Sequence, residues 1–142
     1  MSGFLLDTNV PSELMHLNPE PRVEKWVFSQ VPTELFLSVV TIGELHKGFA
    51  LLPGSKRRSD LENWFHQKLI PRFRGRILPM TYEIAERWGT IDAARQRLGR
   101  PLSIPDGQIA ATALEHGLTL VTRNVKDFED MGLTILNPWD IA

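Results

Sequence analysis

Much of what this 142-residue chain lacks is informative. It has no cysteine, which excludes disulfides and thiolate metal sites. No apolar run approaches the roughly 20 residues needed to cross a bilayer. Met1-Ser2-Gly3-Phe4 carries neither a basic flank nor a small-residue cleavage site, so it does not read as a signal peptide, and the cytoplasm is the expected compartment. The histidines His16, His46, His66 and His116 are scattered and form no His-Glu-x-x-His pair, which argues against a zinc hydrolase. Gly54-Ser55-Lys56 lacks the upstream glycine of a P-loop, and there is no Gly-x-Ser-x-Gly elbow. A receiver-type phosphoacceptor needs an aspartate closing a mid-chain strand, whereas the expected strands before residue 80 end in Ser38 and Pro79. Repeats, low-complexity tracts and an interdomain linker are also missing, so residues 1–142 read as one domain, long enough to bury a core.

Net charge is only −1, but it is unevenly spread. Residues 1–46 hold two basic residues, Arg22 and Lys25, against six acids, while residues 47–126 hold fourteen basic residues against seven acids. That asymmetry suits either a basic face for a polyanion or an ordinary solvated helix surface. Arg57, Arg58, Arg72 and Arg74 stand among Trp64, Phe65 and Phe73, a mixture able to grip phosphates and stack on bases. For Trp64 and Phe65 a place in the core is the preferred reading.

Short apolar runs alternate with helical patterns, the signature of βαβ units and a parallel sheet. Strands are expected at Phe4-Leu5-Leu6, Leu35-Phe36-Leu37, Ile77-Leu78, and over residues 118–121 and 133–136. The third is peripheral, because Pro79 cannot donate to a ladder. Helices are expected over residues 11–17, from Pro21, over 39–52, 59–69, 81–98 and 106–116, with a short one over 127–131. Pro71 ends or kinks the fourth, Thr81 caps the fifth, and Gly117 ends the sixth.

The first strand stops at Asp7, and ligands of parallel α/β sheets bind beyond the carboxyl ends of strands. Asp7 or Thr8 otherwise only caps the next helix. Glu44 lies about two turns into a helix, on the side of Val40, Gly48 and Leu51. It is either an expensive buried carboxylate or a surface partner of Lys47. Asp106 opens an alanine-rich helix, as cap or as ligand. Asn124 and Asp127 follow the fourth strand, as site groups or as turn and first-turn residues. Several carboxylates brought together raise one another's pKa and stay ionised only around a cation. With hard oxygen ligands and no thiolate, Mg²⁺ or Mn²⁺ is the matching ion, and two such ions suit phosphodiester cleavage.

Four stretches carry a more specific signal: Leu5-Leu6-Asp7-Thr8-Asn9-Val10, Ser38-Val39-Val40-Thr41-Ile42-Gly43-Glu44-Leu45, Pro105-Asp106-Gly107-Gln108-Ile109-Ala110-Ala111-Thr112-Ala113 and Val121-Thr122-Arg123-Asn124-Val125-Lys126-Asp127-Phe128. In this order they resemble PIN domains, and more closely the VapC-type toxins of type II toxin–antitoxin modules in their FitB-like branch. The resemblance spans essentially the whole chain, including Ile135-Leu136-Asn137-Pro138-Trp139. It implies a three-layer α/β fold, a five-stranded parallel sheet with helices on both faces. It also implies a Mg²⁺- or Mn²⁺-dependent ribonuclease silenced by a cognate VapB/FitA-like antitoxin, acting as a homodimer. Higher assemblies with antitoxin and operator DNA are implied too, and no membrane. The implied catalytic and metal-binding acids are Asp7, Glu44 and Asp106. The fourth acidic position falls on the amide Asn124, with Asp127 one turn on as the substitute charge. Thr8, Asn9 and Thr122 are implied supports of the site, and Arg57, Arg58, Arg72, Arg74 and Lys126 are candidates for the RNA backbone. A weakly catalytic partner of a DNA-binding antitoxin is the competing expectation, because Asn124 is not an acid.

Overall fold

β1 (Phe4–Leu6) is the central strand of a five-stranded, all-parallel sheet in a computed structural model that describes residues 2–141. β2 (Leu35–Ser38) and β3 (Ile77–Leu78) lie to one side of it, and β4 (Thr119–Val121) and β5 (Ile135–Leu136) to the other, in the order β3-β2-β1-β4-β5. Phe4 is in register with Leu35 on one side and with Thr119 on the other. β3 is an edge strand, as Pro79 demands. Side chains of a strand alternate between faces. Leu5 therefore joins the core containing Ile109, Ala110 and Ala113, while Leu6 joins the core containing Val27, Leu45 and Phe49. Both leucines are fully buried, which contributes about 2 kcal/mol each to stability.

The helices are α1 (Asn9–Leu14), α2 (Pro21–Ser29), α3 (Val39–Leu51), α4 (Lys56–Trp64), α5 (Ile70–Phe73), α6 (Tyr82–Arg97) and α7 (Ile104–His116). Val10, Trp26, Phe49, Leu61, Phe65 and Phe73 fill one side of the sheet, and α7 lies on the other with α6 packed against it. No described helix is long and apolar enough to cross a membrane.

Four of the expected helices differ in the structure. α1 starts at Asn9 and stops at Leu14, so Pro11 still lies in its first turn. The fourth helix begins at Lys56 because Ser55 caps it, its hydroxyl accepting from the Arg58 N–H. It then widens into a π-type turn, Phe65–Leu69, and continues past Pro71 as α5. α7 starts at Ile104, two residues before Asp106. After β4 the chain makes a 3₁₀ turn, Val125–Phe128, in place of the short helix over 127–131.

Candidate active site

From β1 the chain proceeds outward to β2 and β3, then returns to β4 on the other flank of β1. Strand order thus reverses between β1 and β4, the position where open parallel sheets bind ligands beyond their carboxyl ends. Asp7 follows the last residue of β1, and Thr122 follows the last residue of β4. Thr122 Oγ1 donates to Asp7 Oδ2 at 2.7 Å, with both residues buried. A hydroxyl has one proton and two lone pairs. The lone pairs of Thr122 accept from the Asn124 backbone N–H at 3.0 Å and from Asn9 Nδ2 at 3.3 Å, so its capacity is full. The Thr8 N–H donates to Asp7 Oδ1 at 2.8 Å.

Asp7 has no basic side chain within ion-pair distance among the described residues. Burial raises its pKa from 3.8 to about 6; the bonds from Thr122 and Thr8 oppose the rise, and the charges of Asp106 and Glu44 add to it. Asp7 is not a side-chain cap of α1, whose cap position is occupied by Thr8 without a side-chain bond.

Glu44 is half-buried and makes no ion pair with Lys47. Its Oε1 accepts from Thr8 Oγ1 at 2.6 Å. The single Thr8 proton is thereby committed, so Thr41 Oγ1, 3.0 Å from Thr8 Oγ1, must donate to it. A directed chain Thr41→Thr8→Glu44 results. The expected apolar surround of Glu44 is corrected: Gly48 and Leu51 are exposed, and Glu44 borders an open groove with Gly48, Leu45 and Arg57.

The capping alternative for Asp106 does not hold, because Ser103 caps α7 by accepting from the Asp106 N–H at 3.2 Å. The Asp106 carboxyl is therefore free for other work. Burial lifts its pKa, the Ser103 hydroxyl partly offsets this, and the charge of Asp127 adds to it. Asn124 and Asp127 are both exposed. Asp127 borders a depression with Asp106, whereas Asn124 and Asp127 border another with Arg123.

The residues fit a hard divalent cation by two observations. The donors are all oxygens, with a buried carboxylate that no protein cation neutralises. Asn9 Oδ1, beside Asp7, is buried without a hydrogen-bond partner. Among the described residues no three carboxylates or imidazoles are gathered closely enough to form a ligand cage, and Glu44 and Asp106 border separate depressions.

The basic candidates divide. Arg57 reaches the Met15 carbonyl at 3.4 Å and borders the groove beside Glu44. Arg58 is tied to Glu62 and to the Leu52 carbonyl. Arg72 stacks over Phe28 at 4.5 Å, and its carbonyl accepts from Arg76, whose Nε donates to Leu35 at the amino end of β2. Arg72 thus lies toward the end of the sheet opposite Asp7, and exposed Arg74 follows it in the chain. The structure does not bring these two to the acids. Lys126 is exposed and borders the depression shared by Asp106 and Asp127.

Sequence reasoning missed Thr41, Ser103 and Arg95. Thr41 is three residues before Glu44 on a helix, so its shared face was visible in the spacing. Ser103 is a favoured cap three residues before an acid. Arg95 is buried in the last turn of α6, where a cation reads as an ordinary complement to the helix dipole, and no sequence signal marks it.

The PIN-domain family profile matches residues 4–132. A VapC ribonuclease of Sinorhizobium fredii is 38% identical over 139 residues, covering 98% of this chain and 99% of its own length. Toxin FitB of Neisseria gonorrhoeae is 38% identical over 136 residues, covering 96% and 98%. The crystal structure of FitAcB from Neisseria gonorrhoeae superposes with a TM-score of 0.89 at 37% identity, over 97% of this chain and 99% of that one. This chain is a member of the PIN-domain family.

Proposed function

We propose that this chain is the toxin of a type II toxin–antitoxin pair, a cytoplasmic Mg²⁺- or Mn²⁺-dependent endoribonuclease neutralised by a VapB/FitA-like antitoxin. Relatives named VapC ribonuclease and toxin FitB support this reading, as does a structural relative crystallised as FitAcB. The observation that carries it is the buried Asp7 carboxylate at the strand-order reversal, bound by Thr122 and facing the charges of Glu44 and Asp106.

Asp7, Glu44 and Asp106 would hold the divalent ion, which supplies activation of water and charge neutralisation at the phosphorus. The work of the remaining residues is orientation. Thr122 fixes Asp7 Oδ2, and the Thr8 N–H fixes Oδ1. The Thr41→Thr8→Glu44 chain fixes the position of Glu44 Oε1, which accepts from the Thr8 hydroxyl. Asp127, whose charge acts on Asp106, stands in for the acid absent at Asn124. Homodimerisation, and assembly with antitoxin on operator DNA, complete the proposal.

Incubating the purified chain with RNA and Mg²⁺, with and without EDTA, tests it. Cleavage that EDTA abolishes and that Asp7→Asn lacks is the expected result. An Asp7→Asn chain as active and as toxic on induction as the parent would overturn it.

A further inference from the structure

α6 ends in a turn that brings two guanidinium-bearing residues together. Gly99 adopts φ 70°, its N–H donates to the Gln96 carbonyl at 3.0 Å, and the Arg100 N–H donates to the Arg95 carbonyl at 3.0 Å. This is a Schellman turn, which folds the chain back on the last helical turn. Arg95 is only 6% exposed, and its guanidinium donates to the carbonyls of Asp127 at 3.2 Å and Glu129 at 3.4 Å. Its Nε is buried with no partner.

Arg95, Arg100, Lys126, Ser103, Asp106 and Asp127 surround one depression of about 430 Å³. Opposite charges share it without pairing: among the described residues, neither carboxylate lies within ion-pair distance of any of the three cations. The one carboxylate on Arg100 is Asp130, 3.5 Å away and well exposed, a contact worth little. Only Arg95 is buried, with its Nε unpartnered, while exposed Arg100 and Lys126 leave their charges without a close carboxylate inside the depression, where an anion can accept from them.

We infer that this depression is a phosphate subsite for the RNA strand next to the cleavage centre, with Arg100 and Lys126 as its contact residues and buried Arg95 as its floor. The inference rests on the ribonuclease reading above. A phosphodiester accepting from Arg100 and Lys126 neutralises the cations, while Asp106 and Asp127 remain available to the divalent ion. The strand therefore runs over the α6–α7 turn and not along α5, where Arg72 lies toward the opposite end of the sheet.

The test compares the parent, Arg100→Ala/Lys126→Ala, and a charge-matched control, Lys68→Ala/Arg87→Ala, whose positions do not line the depression. Cleavage of a short single-stranded RNA is measured in Mg²⁺, and binding is measured by fluorescence anisotropy against salt in an Asp7→Asn background. The Arg100/Lys126 double variant should raise KM about tenfold, a loss of about 1.4 kcal/mol, with a smaller fall in kcat. Its plot of log affinity against log salt should be flatter by about 1.4, from about 0.7 per lost contact on single strands. The control should match the parent. A double variant indistinguishable from an active parent, or a control that loses as much, overturns the subsite alone. A parent that neither binds nor cuts RNA overturns the ribonuclease reading, and the subsite with it.

Discussion

Thr122 Oγ1 and Asp7 Oδ2 meet at 2.7 Å across the boundary between β4 and β1, joining residues 115 positions apart in the chain. The Thr122 hydroxyl also accepts from Asn9 and Asn124, so one oxygen ties the segments 7–9 and 122–124 together. Thr122→Val keeps the shape and removes all three bonds. Second-layer groups of this kind usually change metal affinity or activity by about 10–100-fold. Cleavage measured against Mg²⁺ concentration should show a loss in that range for Thr122→Val and near-parent behaviour for Thr122→Ser, which keeps the hydroxyl. A Thr122→Val chain that cleaves like the parent, with the loss confined to Thr122→Ser, would mean that the methyl packing matters and the hydrogen bond does not.

Asp7 costs the metal-free protein stability. Its pKa is raised from 3.8 to about 6 in the folded chain, so the native state binds this proton more tightly than the unfolded state. The cost is complete above about pH 6, on the order of 3 kcal/mol for a shift of about two units, and disappears as pH falls towards 3.8. In EDTA, Asp7→Asn should therefore melt higher than the parent at pH 7.5, with the gap closing towards pH 4. Mg²⁺ should raise the parent's melting temperature and leave the variant unmoved. A parent as stable as the variant at pH 7.5 in EDTA would contradict the buried, unpaired carboxylate.

The central strand and Asp7 were legible because an apolar run ending in an acid constrains both burial and position. The pairing of Thr8 with Glu44 was not, since 36 residues separate them and only tertiary structure sets their distance. The basic cluster misled for a geometric reason. Residues 56–73 form one nearly continuous helical rod, and about 18 residues at about 1.5 Å each span about 27 Å. Arg57 thus lies by the groove beside Glu44, while Arg72 reaches towards the amino end of β2. The cap alternative for Asp106 arose because Ser103, the actual cap, lies beyond Pro105 from the alanine-rich helix pattern. The π-type turn that carries the chain past Pro71 has no local sequence signature.

Arg95 holds the loop after β4 from beneath. Arg95→Met retains much of the apolar stem and leaves the carbonyls of Asp127 and Glu129 without their donor. Unsatisfied buried acceptors cost about 1–3 kcal/mol each, offset in part by no longer burying a charge. A net loss of about 2 kcal/mol is expected in denaturant unfolding. Amide hydrogen exchange should speed up over residues 124–130 before it does in α7. Unchanged exchange in that loop would show that its position does not depend on Arg95.

Gly107 follows Asp106 directly and lies against Trp88 of α6. A Cβ at this position would come within 2.9 Å of Trp88 Cδ1 and Nε1, closer than carbon atoms pack. Gly107 φ is not in the left-handed region, so the constraint is space and not backbone conformation. Gly107→Ala should push α7 away from α6 and cost about 1–3 kcal/mol, the usual range for overpacking. Because Asp106 is carried on the same turn, cleavage should fall more steeply than stability alone explains. The indole ring is the obstacle, so Trp88→Leu in the Gly107→Ala background should restore part of both. A double-mutant cycle in unfolding free energy, with a coupling above about 0.5 kcal/mol, would confirm the contact. Additive costs for the two substitutions would instead place the strain elsewhere on α7.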